Sequence, residues 1–228
     1  MLLPCSGTAA PQTAASSKQS GGSVNLLMGT GEARKPQPFT REQRLLHAVR
    51  EGDRATLVRA LDLGVSVHAR DDLGRSALLL AVRDAGSLEL TRLLRSEGAR
   101  VDEPDASGRT PLSYAAGRGD RSLVEYLLRE GAAVDQPDDV ARTPLFYAAI
   151  GDHPEIVSLL HERGASLDVR GRNDETPLIA ACARDNARVA QRLRALGADT
   201  SLLDRWGRSA ADRAANRGTP GCTRPGAS

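Results

Sequence analysis

The chain has 228 residues, 40% hydrophobic but only 3% aromatic, which is enough apolar material for a real core built mainly on Ala and Leu and so favours helices. A formal net charge of +2 excludes a strong overall attraction to nucleic acid. No run approaches the ~18 apolar residues of a membrane helix. The start, MLLPCSGTAA, lacks both the charged region and the long apolar stretch of a secretory signal.

Residues 1–37 are rich in Gly, Ser, Ala, Thr and Pro and carry no apolar period, so they are expected to be disordered, with VNLLM at 24–28 as their one apolar cluster. From residue 38 the chain becomes periodic. Glycines placed to end helices recur at Gly64, Gly98, Gly131, Gly164 and Gly197, with gaps of 34, 33, 33 and 33. A first-helix signature recurs in step: QRLLHAV at 43, SALLLAV at 76, TPLSYAA at 110, TPLFYAA at 143, TPLIAAC at 176 and a degraded SAADRAA at 209. A fixed period of this size marks a solenoid of stacked units.

One unit can be read in full. Thr110 is an N-cap, and Pro111 takes the first helical position, where its missing N–H costs nothing. Leu112, Ala115 and Ala116 share one face of a short helix, and Gly119 ends it. Asp120 caps a second helix whose buried side is Leu123, Val124, Leu127 and Leu128. Gly131 supplies the left-handed residue after it, and a loop or short hairpin leads on. Caps for the second helix recur as Asp53, Ser87, Asp120 and Asn186, with His153 before Pro154 in the fourth unit. One extra residue near Ala85 and Gly86 should bulge the turn in the second unit. Helices this short do not persist alone, so each unit is stable only against its neighbours.

Thr110-Pro111-Leu112, Thr143-Pro144-Leu145 and Thr176-Pro177-Leu178, each followed by an Ala pair or Ala-Cys and by Gly-Ala 21 residues after the Thr, resemble the ankyrin repeat family. The resemblance implies an all-α solenoid of about six helix-turn-helix units joined by loops or β-hairpins. It covers 38–218, with units at about 38–70, 71–104, 105–137, 138–170, 171–203 and 204–218, and leaves 219–228 as a tail. In the family a His usually follows Thr-Pro-Leu and hydrogen-bonds near the Thr. Here that place holds Leu46, Leu79, Ser113, Phe146 and Ile179, so the polar bond is expected to be absent.

Residues with catalytic or ligating chemistry are sparse. GTGEAR at 29 lacks the third glycine of a phosphate loop. No two of His47, His68, His153 and His161 have the i, i+4 spacing of a metal-binding helix, and Cys5, Cys182 and Cys222 are odd in number and far apart. Neither a zinc site nor a disulfide framework is indicated, and Cys182 reads as a small buried thiol. No cofactor and no enzymatic activity are expected, and a reducing, cytoplasmic location fits best.

The resemblance implies protein–protein interaction through the tips between units and the exposed end of each first helix, on the concave side. The positions carried over for partner binding are Arg50, Arg70, Arg83, Arg118, Arg170, Arg172, Arg184, Arg205, Trp206 and Arg217. These nine Arg face four acids, Glu51, Asp72, Asp84 and Asp139, in the same set, although residues 38–228 as a whole carry no net formal charge. The expectation is a monomeric module that docks an acidic protein, with a shallow gap at Gly151 interrupting the row Arg118, Arg184 and Arg217. Trp206 reads equally as tip packing and as an anchor. An inhibitor, immunity or secreted effector protein is the same act of binding in another biological role. Nucleic-acid binding is the rival from a different class, and the neutral balance counts against it.

Overall fold

A computed structural model of the chain describes residues 39–214 and Cys222. The disorder expected of 1–37, the tail at 219–228 apart from Cys222, and Arg217 lie outside the described residues. The elements are α1 (Arg41–Glu51), α2 (Arg54–Asp62), α3 (Ala77–Leu80), α4 (Leu88–Ser96), α5 (Pro111–Arg118), α6 (Arg121–Arg129), α7 (Pro144–Ile150), α8 (Pro154–Glu162), α9 (Pro177–Ala183), α10 (Ala187–Ala195) and α11 (Ala210–Ala214). They form five helix pairs followed by α11, an all-α repeat solenoid.

Local chemistry sets the start of each first helix. Thr110, Thr143 and Thr176 each accept, through the side-chain oxygen, the N–H three residues on, and Pro follows in all three. Ser76 caps α3 in the same way, and Thr40 caps α1 in a reciprocal pair with Gln43. The second helices use Asp53, Ser87 and Asp120 as their sequence suggests. His153 and Asn186 make no such bond. Instead the Asn186 Nδ2 donates to the carbonyls of Ala149 and Ile150 in the preceding unit, at 2.9 and 3.2 Å. Gly64, Gly98, Gly131, Gly164 and Gly197 all have positive φ, so the glycine period is a period of left-handed helix ends.

The extra residue of the second unit appears as a π-helical turn, Ala81–Ala85, that runs on from α3 and closes at Gly86 with φ 58°. An inserted residue is absorbed this way when both flanking stretches must keep their buried faces. Leu78, Leu80, Ala81 and Val82 before the extra residue and Leu90 after it are all buried.

The core is one continuous seam. First helices pack in series, α5 on α7, α7 on α9 and α9 on α11, and α4, α6, α8 and α10 form a second row. Leu112, Ala115, Leu123, Val124 and Leu127 are completely buried, as are Leu145, Ala148 and Leu160 in the next unit. Two backbone rails tie neighbours together with the same period. Asp102, Asp135 and Asp168 accept the N–H of Ala133, Ser166 and Asp199. At the tips, the N–H groups of Asp139, Arg172 and Arg205 donate to the carbonyls of Ser107, Val140 and Asn173. The connections are loops, and among the described residues the isolated bridge between Arg70 and Ser76 is the only strand-like pairing.

Two side-chain positions differ from expectation for physical reasons. The family's polar bond does survive in the third unit, where the Ser113 and Thr110 hydroxyls lie 3.1 Å apart in the core. Ser113 is therefore a buried hydroxyl with a partner. Gly171 stands where the other tips have Asp71, Asp105, Asp138 and Asp204. A Cβ there would come within 3.1 Å of the Phe146 ring, which is fully buried in the unit before. The large ring and the missing side chain are complementary.

Candidate functional site

Every described tip but the one at Gly171 is held by one carboxylate. Asp71, Asp105, Asp138 and Asp204 each accept the N–H two and four residues ahead through Oδ1. The second oxygen is then free to tie the tip to a first helix. The Tyr114 hydroxyl donates to Asp105 at 2.7 Å, and that of Tyr147 donates to Asp138. The Arg109 guanidinium sits between these two tyrosines, 3.9 Å from one ring centre and 3.8 Å from the other. This stack crosses from the third unit to the fourth. Burial, followed by the carboxylate hydrogen bond, pushes both phenols up to about 12. Neither Arg109 nor the two tyrosines belongs to the set read from sequence. The signal was present: an Asp nine residues before a Tyr, twice in register.

The arginines read from sequence fall into separate groups. Arg50 bonds Asp71 and lies 3.6 Å from Asp84. Arg70 pairs with Glu103 at 3.0 Å and donates to the Gly74 carbonyl. Arg83 lies over the Tyr114 ring and 3.7 Å from Asp84. Carboxylates of the second unit thus neutralise these three. Arg50 and Arg70 border a groove of about 470 Å³ lined also by Phe39, Leu46, His47 and Leu73. Phe39 and Leu73 are 61% and 59% exposed, so this groove has an apolar lip. Arg118 is exposed and donates to the Arg83 carbonyl at 2.7 Å, which joins the second unit to the third.

No gap opens at Gly151. A Cβ there would meet the Gly117 carbonyl and the His153 ring, and the His153 Nε2 lies 3.2 Å from that carbonyl. The imidazole of the following residue pair fills the space that the absent Arg leaves. Arg184 is exposed at the end of α9, beyond this filled position.

The remaining residues gather at the tips of the fifth and sixth units. Arg205 donates to the Asn173 side chain at 3.0 Å, beside the exposed Arg172, and Arg170 reaches the Leu203 carbonyl. Trp206 is 56% exposed, yet its ring has three guanidiniums over it: Arg205 at 5.5 Å, Arg208 at 4.8 Å and Arg213 at 5.5 Å. Arg208 and Arg213 are fixed by the buried Asp204, whose Oδ2 takes both. Burial alone would raise that carboxyl, but the N–H groups of Arg208 and Trp206 and the Arg213 guanidinium hold it below the ordinary range. Arg208 lies outside the set read from sequence because Arg is common at that tip position in the family, and Arg213 because only the fold brings α11 to the tip.

Residues 45–138 and 114–204 match the model for ankyrin repeats in three copies, and together they span well over half of the chain. The chain belongs to the ankyrin repeat family. The family is one of protein–protein interaction modules, in keeping with the absence of any helix among the described residues long and apolar enough to cross a membrane. No curated protein gives a match to this ankyrin chain. Among its described residues no group of three His, Cys, Asp or Glu side chains is placed to hold a metal ion.

The cysteines correct the sequence reading. Cys182, on α9, and Cys222 form a disulfide, with Cα atoms 5.7 Å apart. Both are buried. Forty residues separate them, so no local spacing motif announces the pair. Cys182 occupies the place of Ala116 and Ala149 in the units before, which is why it resembled a simple core residue.

Proposed function

We propose that this ankyrin chain is a non-enzymatic module that binds another protein along its tips and first-helix ends, the concave side in its family. It works as a monomer in the cytoplasm, and it takes acidic partners. The observation that carries this reading is the tip of the fifth and sixth units. There an exposed Trp206 lies under three arginines, while Arg172 and Arg205 are exposed and pair with no carboxylate among the described residues. Trp and Arg are the residue types that most often dominate binding energy, and guanidiniums pair carboxylates in two-point geometry. Arg50, Arg70 and Arg83 already serve internal carboxylates, and the first two line the N-terminal groove. Arg118, Arg170 and Arg184 extend the basic set.

The test begins with capture of partners by the immobilised chain and identification by mass spectrometry. Binding of each candidate is then measured to the wild type and to two variants, Arg172→Glu with Arg205→Glu, and Trp206→Ala. Loss of a charge partner at an interface typically costs ~2–5 kcal/mol, so affinity should fall at least tenfold in the double variant. Circular dichroism should be unchanged, because exposed substitutions seldom move stability by more than ~0.5 kcal/mol. Unaltered affinity for every captured partner would place binding on another surface.

A further inference from the structure

The sixth unit is held less firmly than those before it. Its described helix is α11, five residues that cannot hold a helix alone. α11 depends on α9, against which Ala210 and Ala214 are buried. It also carries Arg213, which bonds Asp204 and lies over Trp206. Cys182 lies on that same α9, near its end, and bonds Cys222, eight residues past Ala214. The chain leaving α11 is thus returned covalently to the helix on which α11 packs.

We propose that the Cys182–Cys222 bond is a redox clip that keeps α11 seated and so holds the Trp206 surface in its binding form. The idea rests on the reading of that surface as the docking site. In a reducing compartment a disulfide is characteristically a switch and not a permanent brace. A small dithiol or a dithiol oxidoreductase supplies the chemistry. Its thiolate attacks one protein sulfur to form a mixed disulfide, and its second thiol resolves it. Two electrons and two protons pass to the protein, which ends with two thiols, and the reductant ends as a disulfide. Both sulfurs are buried, so attack requires α11 to open first, and so short a helix opens readily. Once reduced, α11 is held by noncovalent contacts alone, the burial of Ala210 and Ala214 and the Arg213–Asp204 bond. Arg213 then leaves Asp204 and the indole more often, and the surface loses its fixed shape.

Trp206 is the only tryptophan, so its emission reports this site directly. The experiment uses the full chain with Cys5→Ser, which removes the third thiol. Alkylation without prior reduction, followed by peptide mass spectrometry, should recover Cys182 and Cys222 as one linked peptide from protein incubated with glutathione disulfide. Dithiothreitol should then shift the Trp206 emission and abolish hydrogen-exchange protection in α11, with α1 to α8 unchanged. Cys222→Ser, and separately Cys182→Ala, which restores the residue of the neighbouring units, should show both changes without reductant and no response to it. Free alkylated cysteines after oxidation would overturn the clip. So would a linked peptide whose reduction leaves both Trp206 and α11 unaltered. None of these measurements needs a partner, so failure of the clip leaves the binding proposal standing. Conversely, binding that ignores Trp206 leaves the clip standing but removes its role.

Discussion

The Arg109 stack shows how a residue common in a family can acquire a specific task. Its guanidinium lies between two phenol rings whose hydroxyls are engaged by Asp105 and Asp138. Arg forms such stacks because its cation is planar and weakly hydrated. Burial and the two carboxylate hydrogen bonds favour neutral tyrosines against the pull of the Arg109 cation, which gives a pH signature. Each phenol is raised from 10.0 to about 12 in the fold. A raised value means that the contribution to stability is complete below the unfolded value near 10. It is lost as pH climbs from there toward about 12. Residues 38–228 contain no lysine, so few other groups titrate in that window. The melting temperature should fall steeply between pH 10 and about 12. In a chain with Tyr114→Phe and Tyr147→Phe the fall should be shallower, with tyrosinate absorbance marking the same step in the wild type. Equal slopes would mean that the two phenols ionise as freely in the folded chain as in the unfolded one.

Helix starts were legible because capping is local chemistry. Thr or Ser with its N–H three residues on, and Pro at the first helical position, can be read within one turn of chain. The π-helical turn was legible as a single extra residue against a strict period. What sequence could not distinguish was a polar side chain that caps its own helix from one that reaches the unit before. Asp120 does the first, accepting the Leu123 N–H at 3.0 Å. Asn186 occupies the same place and does the second, because its amide can donate where a carboxylate cannot. This difference predicts opposite tolerances. Asp120→Asn should be nearly neutral, since both residues cap well. Asn186→Asp should weaken the fold by about 1–3 kcal/mol, because a carboxylate would face two carbonyl oxygens left without a donor. Denaturant unfolding of the two variants checks the contrast. Two equal small effects would show that Asn186 acts as an ordinary cap.

At the scale of the whole molecule, period alone carried most of the fold. Each unit repeats one burial pattern, and the 33-residue register fixes which faces meet. The candidate surface was less legible, because it depends on which arginines find internal partners. Arg50 reaches an Asp 21 residues away and Arg70 a Glu 33 residues away, and both partners are set by stacking. The disulfide was invisible for the same reason.

A stack of this kind also predicts how damage spreads. Stability is close to a sum of unit and nearest-neighbour terms, so position along the stack matters as much as burial. Leu127 on α6 and Leu57 on α2 are both completely buried. Replacing either by Ala should open a cavity costing ~2–5 kcal/mol. Leu127 lies in a unit with neighbours on both sides, since α6 contacts α4 and α8. Leu57 lies in the first described unit, whose described neighbours are on one side only. Hydrogen exchange should therefore separate the two variants even where their total loss is equal. Leu57→Ala should accelerate exchange in α1 and α2 and leave α7 to α10 protected. Leu127→Ala should accelerate exchange from α4 to α8 and divide the solenoid into two weakly coupled halves, with a broadened denaturant transition. Uniform acceleration over all helices in both variants would show instead that the chain opens as one cooperative block, with coupling between units too strong for any one to open alone.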